Sequence, residues 1–264
     1  MLDLLTDRVI VVLGVGPALG RASALACARE GARVVLAARG AETMADVAGE
    51  IAELGGEALC VPTDMLDAGD CVRLVERTVE RFGRVDGLVC VAYRHHDNTL
   101  ITDCPDDLAN WREVMDTNFF GTMQVAKPVI EQMQRQGEGG SIVIVNSLNT
   151  HNPWPRTASY TASKAALAAV TRSLATEFGP EGIRVNSLHA GLIFNESLYI
   201  TIDDMAKRNG TSSAEELAKI VALSPLKQQT TPQDYTGSIL YLLSDMSKPV
   251  TGVSLHANAG RYMG

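Results

Sequence analysis

Positive charge is in short supply in this sequence: 23 Lys and Arg stand against 31 Asp and Glu, a net charge of −8. That deficit argues against a broad nucleic-acid-binding face or a polybasic membrane anchor, while leaving room for a local basic pocket. Cysteine is sparse as well, limited to Cys27, Cys60, Cys71, Cys90 and Cys104. Their number is odd and no pair has C-x-x-C spacing. With no secretory signal, this favours reduced thiols in a cytoplasm over a disulfide framework. Cys27 and Cys90 sit in apolar runs and read as small core residues. No stretch approaches the ~18–20 apolar residues needed to span a bilayer, so a soluble protein with no membrane partner is expected. Internal repeats, low-complexity tracts and Pro/Ser-rich linkers are all missing. The 264 residues therefore read as one domain.

What is present alternates. Arg8 to Leu13 is a β-branched run of the kind buried on both faces of a sheet, and a glycine-rich turn leads from it into a helix over Arg21 to Glu30. Strands are expected at Arg33 to Ala37, Ala58 to Pro62, Gly87 to Ala92, Ser141 to Asn146, Arg184 to Leu188 and Gly252 to His256. Helices are expected at Glu42 to Leu54, Gly69 to Phe82 and Ser159 to Phe178, with one or two more around Gly121 and Pro128 within Asp107 to Gln136. Parallel strands need crossovers, so this alternation predicts an α/β, Rossmann-like, doubly wound parallel sheet of about seven strands with helices on both faces. The irregular stretch at 194–232, with a helix-like segment at Ala214 to Leu223, is read as a lid over a substrate site.

The turn Gly14-Val15-Gly16-Pro17-Ala18-Leu19-Gly20 joins the first strand to the first helix. Glycines there permit a tight turn and a close approach of backbone N–H groups to a pyrophosphate. It departs from G-x-G-x-x-G at Leu19 but fits G-x-x-x-A-x-G through Ala18; a ligand-free tight turn is the plain alternative. At the end of the second strand an NAD site wants an acid, and Leu36-Ala37-Ala38-Arg39-Gly40 has none. Arg39 can pair with a 2′-phosphate, so NADP(H) is the preferred cofactor and NAD(H) the permitted one, unless Arg39 is simply a solvated loop residue. Asp64, ending the third strand, is placed to accept from an adenine amino group or to cap its own loop.

Tyr160-Thr161-Ala162-Ser163-Lys164 puts a phenol and an ammonium at i and i+4, on one face of a helix. A cation beside the phenol stabilises its phenolate and so fits it for proton transfer. Ser147 ends a strand thirteen residues upstream, where a hydroxyl could hold a carbonyl oxygen, and Asn118 lies in the preceding helix.

With these residues the chain resembles the short-chain dehydrogenase/reductase family over essentially its full length. Asn118, Ser147, Tyr160 and Lys164 match the family's working set in type, order and spacing, and the glycine-rich turn, Asp64, Val185-Asn186 and Val250-Thr251-Gly252 match besides. The resemblance implies hydride transfer between a nicotinamide and a carbonyl or secondary alcohol. Tyr160 would donate or accept the proton, Lys164 would lower its pKa and bond the nicotinamide ribose, Ser147 would polarise the substrate oxygen, and Asn118 would hold a water. Cofactor contacts would come from Gly14, Gly16, Ala18, Leu19, Gly20, Arg39, Asp64, Met65, Ala92, Tyr160, Lys164 and Ile193. It also implies a homo-oligomer, dimer or tetramer, through the helices at Asp107–Gln136 and Ser159–Phe178.

The chain also departs from the family pattern. Cys90-Val91-Ala92-Tyr93 stands where Asn-Asn-Ala-Gly is usual, Ala190-Gly191 where Pro-Gly is common, and Asn195 where a threonine often meets cofactor phosphate. Tyr93, Leu148, Asn149, Trp154, Leu192, Phe194 and Tyr199 would wall an aromatic-rich pocket, which favours a bulky apolar ketone or alcohol; Trp154 serves equally as a core anchor. His95-His96-Asp97 reads as a polar loop, because adjacent strand histidines face opposite ways and no partner spacing exists, so no metal is expected. His151 and His189 could approach substrate or be satisfied loop and core residues. A nucleotide-binding sensor, an epimerase and a dehydratase are the alternatives on the same fold.

Overall fold

The computed structural model describes residues 2–95 and 99–264; the His96 and Asp97 of the polar loop lie outside the described residues. Seven strands form one parallel sheet: β1 (Val9–Leu13), β2 (Arg33–Ala38), β3 (Ala58–Pro62), β4 (Gly87–Cys90), β5 (Gly140–Ser147), β6 (Ile183–Ala190) and β7 (Ser254–Ala257). Their order is β3-β2-β1-β4-β5-β6-β7, so the winding reverses between β1 and β4. At such a switch point the flanking crossovers diverge and leave a crevice beyond the carboxyl ends of the strands.

The β1 run shows why continuous apolar sequence is needed. Ile10 and Val12 point into one core with Leu25, Met44, Ile51 and Ile239. Val9, Val11 and Leu13 point into the other with Leu74, Val125, Val129 and Leu167. The helices covering these faces are α1 (Leu19–Arg29), α2 (Ala41–Glu53), α3 (Ala68–Phe82), α4 (Ala109–Met115), α5 (Thr122–Gln136), α6 (Ala158–Phe178), α7 (Glu196–Asn209), α8 (Ser213–Ala222) and α9 (Thr236–Leu243). Among the described residues no helix is long and apolar enough to cross a membrane.

Four local outcomes differ from the sequence reading. The strand expected to reach Ala92 stops at Cys90, and the next two N–H groups, of Val91 and Ala92, both turn onto the Leu13 carbonyl. Of the two interruptions expected within 107–136, the one at Gly121 is realised as a π-helical turn, Asp116–Gly121, whereas Pro128 lies inside α5. The stretch at 194–232 holds two helices, since Asn195 caps α7 by accepting from the Leu198 N–H at 3.0 Å. A last helix, α9, has Ile239 and Leu242 fully buried. Short apolar runs such as this one look alike whether helix or strand, which is why its periodicity did not announce it.

Candidate active site

The glycine-rich turn sits at the winding reversal. Gly14 has φ +96°, and a Cβ there would lie 2.3 Å from the Ala92 nitrogen; a Cβ on Gly20 would lie 2.2 Å from the Gly14 carbonyl oxygen. These two glycines are demanded by backbone packing alone. Gly16 is different: a Cβ there would meet nothing within 4 Å, so its smallness keeps an open space at the turn. Ala18, the N-cap of α1, has no polar side chain to cap with, which leaves the leading N–H groups of the helix to an anion. Leu19 is buried beneath the turn. The cradle fits a pyrophosphate.

Arg39 is exposed at the end of β2, beside the same crevice. Asp64 follows β3; its carboxylate accepts from the Leu66 N–H at 3.0 Å, and its own N–H donates to Asp70 at 2.8 Å. It is thus already a loop brace. Met65 is buried next to Gly121, Ala92 lies half-buried against Gly14, and Ile193 packs on the core under β6.

β5 delivers Ser147 at its carboxyl end, and the first turns of α6 present Tyr160 and Lys164 beside it. The Ser147 hydroxyl accepts from the Asn149 N–H at 3.2 Å and is hydrogen-bonded to Tyr160. Lys164 is buried; its Nζ donates to the Val145 carbonyl at 2.9 Å and lies 5.8 Å from the Tyr160 ring centre. Burial pulls the ammonium down to about 8, with Cys90 opposing. Burial also raises the Tyr160 phenol above its ordinary value, the Ser147 bond pulling the other way and Tyr93 adding to the rise. The phenol is therefore protonated at neutral pH in this state of the site.

Asn118 is fully buried in the π turn, a register change that aims its side chain across to the segment after β4. Its Oδ1 accepts from the Arg94 N–H at 2.6 Å, and its Nδ2 donates to the Arg94 carbonyl at 3.1 Å and the Ser163 hydroxyl at 2.9 Å. Those bonds tie the segment at Arg94 to α6. Cys90 is buried there as a thiol pushed up to about 12.

Tyr93, half exposed, sets its ring edge-on to Tyr160 with centres 6.1 Å apart, and Lys164 Nζ lies 5.7 Å from its centre. His95 stacks on Tyr160 as well, with centres 6.0 Å and planes 24° apart. From sequence His95 reads only as part of a polar loop; no spacing signal links it to a helix sixty-five residues on. Asn149 reaches Thr157 at 3.3 Å, and Trp154 is covered by the Arg261 guanidinium at 4.7 Å. Phe194 is buried in a small cluster with Ile202 and Ile220, against which Trp154 packs, so it anchors helices α7 and α8. Tyr199 is more exposed and donates to Gln229 at 2.7 Å.

His189 near the end of β6, His256 near the end of β7 and His151 on the turn after β5 converge, each offering a ring nitrogen within 4.8 Å of the others. Their separations in sequence hide this grouping, since only the strand order makes them neighbours. Burial, with the other two imidazoles, pulls His189 down to about 3.

Comparison with known proteins agrees with this geometry. A family profile described as Enoyl-(Acyl carrier protein) reductase matches residues 14–261. An L-rhamnose 1-dehydrogenase (NAD(P)(+)) of Azotobacter vinelandii is 33% identical, covering 98% of each chain. An A-factor type gamma-butyrolactone 1′-reductase of Streptomyces virginiae is 35% identical over 97% of this chain and 96% of its own. Among solved structures, an actinorhodin polyketide ketoreductase variant with NADPH superposes with TM-score 0.89 at 28% identity, covering 97% and 98% of the two chains. A seven-stranded doubly wound sheet, matched from its glycine-rich turn almost to its end by relatives that are nicotinamide oxidoreductases, belongs to the short-chain dehydrogenase/reductase family.

Proposed function

We propose that this oxidoreductase interconverts a bulky apolar ketone and its secondary alcohol with NADP(H), using Ser147, Tyr160 and Lys164 as its chemical groups and Asn118 as their brace. The carrying observation is the grouping of a hydroxyl, a phenol and a buried ammonium at the ends of β5 and α6, beside the glycine cradle. A bound nicotinamide supplies or takes the hydride. Gly14, Gly16, Ala18, Leu19 and Gly20 would hold its pyrophosphate, Arg39 a 2′-phosphate, Asp64 and Met65 the adenine end, and Ala92, Ile193 and Lys164 the nicotinamide end.

The rest follows from the chain's own groups. In reduction the substrate oxygen gains negative charge, and the Ser147 Oγ–H and Tyr160 Oη–H are the donors within reach of it. A phenol with a raised pKa holds its proton until that charge develops, then gives it up to the stronger alkoxide base. The Lys164 ammonium, buried close by, favours the phenolate left behind. Lys164 in turn is held by the Val145 carbonyl, and Asn118 holds the loop bearing Tyr93 and His95 against the same helix. Tyr93, Asn149, Trp154 and Phe194, with the lid, would shape a largely apolar pocket.

A second reading, oxidation of a sugar hydroxyl, is favoured by the L-rhamnose 1-dehydrogenase relative. Nicotinamide absorbance assays with aryl and alicyclic ketones, aldoses and polyols, each with NADPH and NADH, separate the two. Turnover confined to aldoses would overturn the apolar-ketone assignment. Self-association is proposed on the same footing: Ala162, Ala165 and Ala169 leave a small-residue face of α6 exposed, near the half-exposed Phe120. Light scattering at micromolar concentration should give a dimer or tetramer mass; a monomer would refute it.

A further inference from the structure

We infer that His151, His189 and His256 form a binding site for a divalent transition-metal ion, with zinc the best chemical match. His189 is fully buried on β6, and its Nδ1 lies 3.0 Å from the Thr150 hydroxyl. That hydroxyl donates its single proton to the Ser147 carbonyl at 2.9 Å. The Thr150 oxygen is therefore an acceptor toward His189, which fixes the proton on Nδ1 and leaves the Nε2 lone pair unprotonated. His189 Nε2 is buried with no hydrogen-bond partner among the described residues, and so is His256 Nδ1.

Two buried, unpartnered imidazole nitrogens are costly, on the order of 1–3 kcal/mol each. Here they are gathered. Ring centres are 4.9 Å apart for His189 and His256, 5.0 Å for His151 and His256, and 5.4 Å for His151 and His189. The donor atoms already lie within 4.8 Å of one another. A tetrahedral ion at ~2.0–2.1 Å from each nitrogen needs them somewhat closer, and His151, on the turn after β5, is the most exposed of the three and the one outside the sheet. Tyr262 stacks on His151 at 4.3 Å and 15°, covering the outer side. Three imidazoles with a fourth position open to water suit zinc, and nickel, copper or cobalt less selectively.

The Thr150 bridge is the outer-shell contact that orients a metal-bound histidine. It also joins the cage to the backbone of Ser147, so an ion here would staple the ends of β5, β6 and β7 under the turn that presents that serine.

The test uses the full-length chain, free of any affinity tag and stripped with a chelator, titrated with Zn²⁺ by calorimetry and with Co²⁺ by visible absorption. One equivalent per chain, a tetrahedral Co²⁺ d–d spectrum and a metal-dependent rise in melting temperature are expected. His151→Ala, on the surface, should melt like the parent without metal. It should lose more than the ~10–100-fold in affinity that removing an outer-shell partner costs. His256→Ala should behave alike, and Cys60→Ser should change nothing. Absence of stoichiometric binding in the parent overturns the inference, as does Co²⁺ binding that survives both histidine variants or vanishes with Cys60.

Discussion

Lys164→Met separates what the buried ammonium does for chemistry from what it costs the fold. The side chain is 3% exposed, and burial depresses it from 10.5 to about 8. A depression of that size disfavours the charged form by about 3 kcal/mol. Below pH 8 both folded and unfolded chains carry the proton, so the whole penalty is present. Between about 8 and 10.5 the unfolded chain holds the proton and the folded chain has lost it; stability therefore rises with pH through that window. Methionine keeps the unbranched stem without the charge, but strands the Val145 carbonyl that Lys164 caps at 2.9 Å, at a cost of about 1–3 kcal/mol. The two nearly cancel at neutral pH, leaving the variant as stable as the parent or slightly more so. The decisive quantity is the pH trend. The parent should gain on the variant by about 3 kcal/mol from pH 7 to 10.5, roughly 6 °C in melting temperature for a chain of this size. Paired thermal melts across that range measure it, and turnover on a proven substrate should fall at least ~100-fold. A constant difference in stability across the range, or near-parental turnover, would refute the assignment of Lys164 as a buried, strained cation serving the site.

Tyr160→Phe should lower turnover by ~10²–10⁴ with an unchanged melting temperature and little effect on NADPH affinity, because only the proton-bearing oxygen is lost. Ser147→Ala should likewise reduce turnover more than cofactor affinity, measured by fluorescence titration. NADPH should bind at least ~10-fold tighter than NADH, about 1.4 kcal/mol, and Arg39→Asp should reverse that order; equal affinities in the parent would remove Arg39 from the site. Gly14→Ala should destabilise the fold on the order of 3 kcal/mol, since φ is +96° and the new methyl would collide with the Ala92 backbone. Chemical denaturation gives that value directly.

The sheet was legible in the sequence because its strands are buried on both faces: β1 must be apolar at every position to fill two cores at once, and that leaves a continuous run. The glycine-rich turn and the Tyr160–Lys164 spacing were legible for a related reason, each being a local backbone or one-helix relation that sequence separation expresses directly. Only the tertiary structure decided the rest. The grip of Asn118 on Arg94 depends on a π turn that shifts the register of one helix against a loop from another part of the chain. The stacking of His95 on Tyr160, and the meeting of His151, His189 and His256, arise because the strand order sets distant residues side by side at the carboxyl ends of the strands. A periodic pattern records which face a residue takes within its own element. It carries no record of which other element will face it, because that is fixed by how the crossovers pack and where the winding reverses.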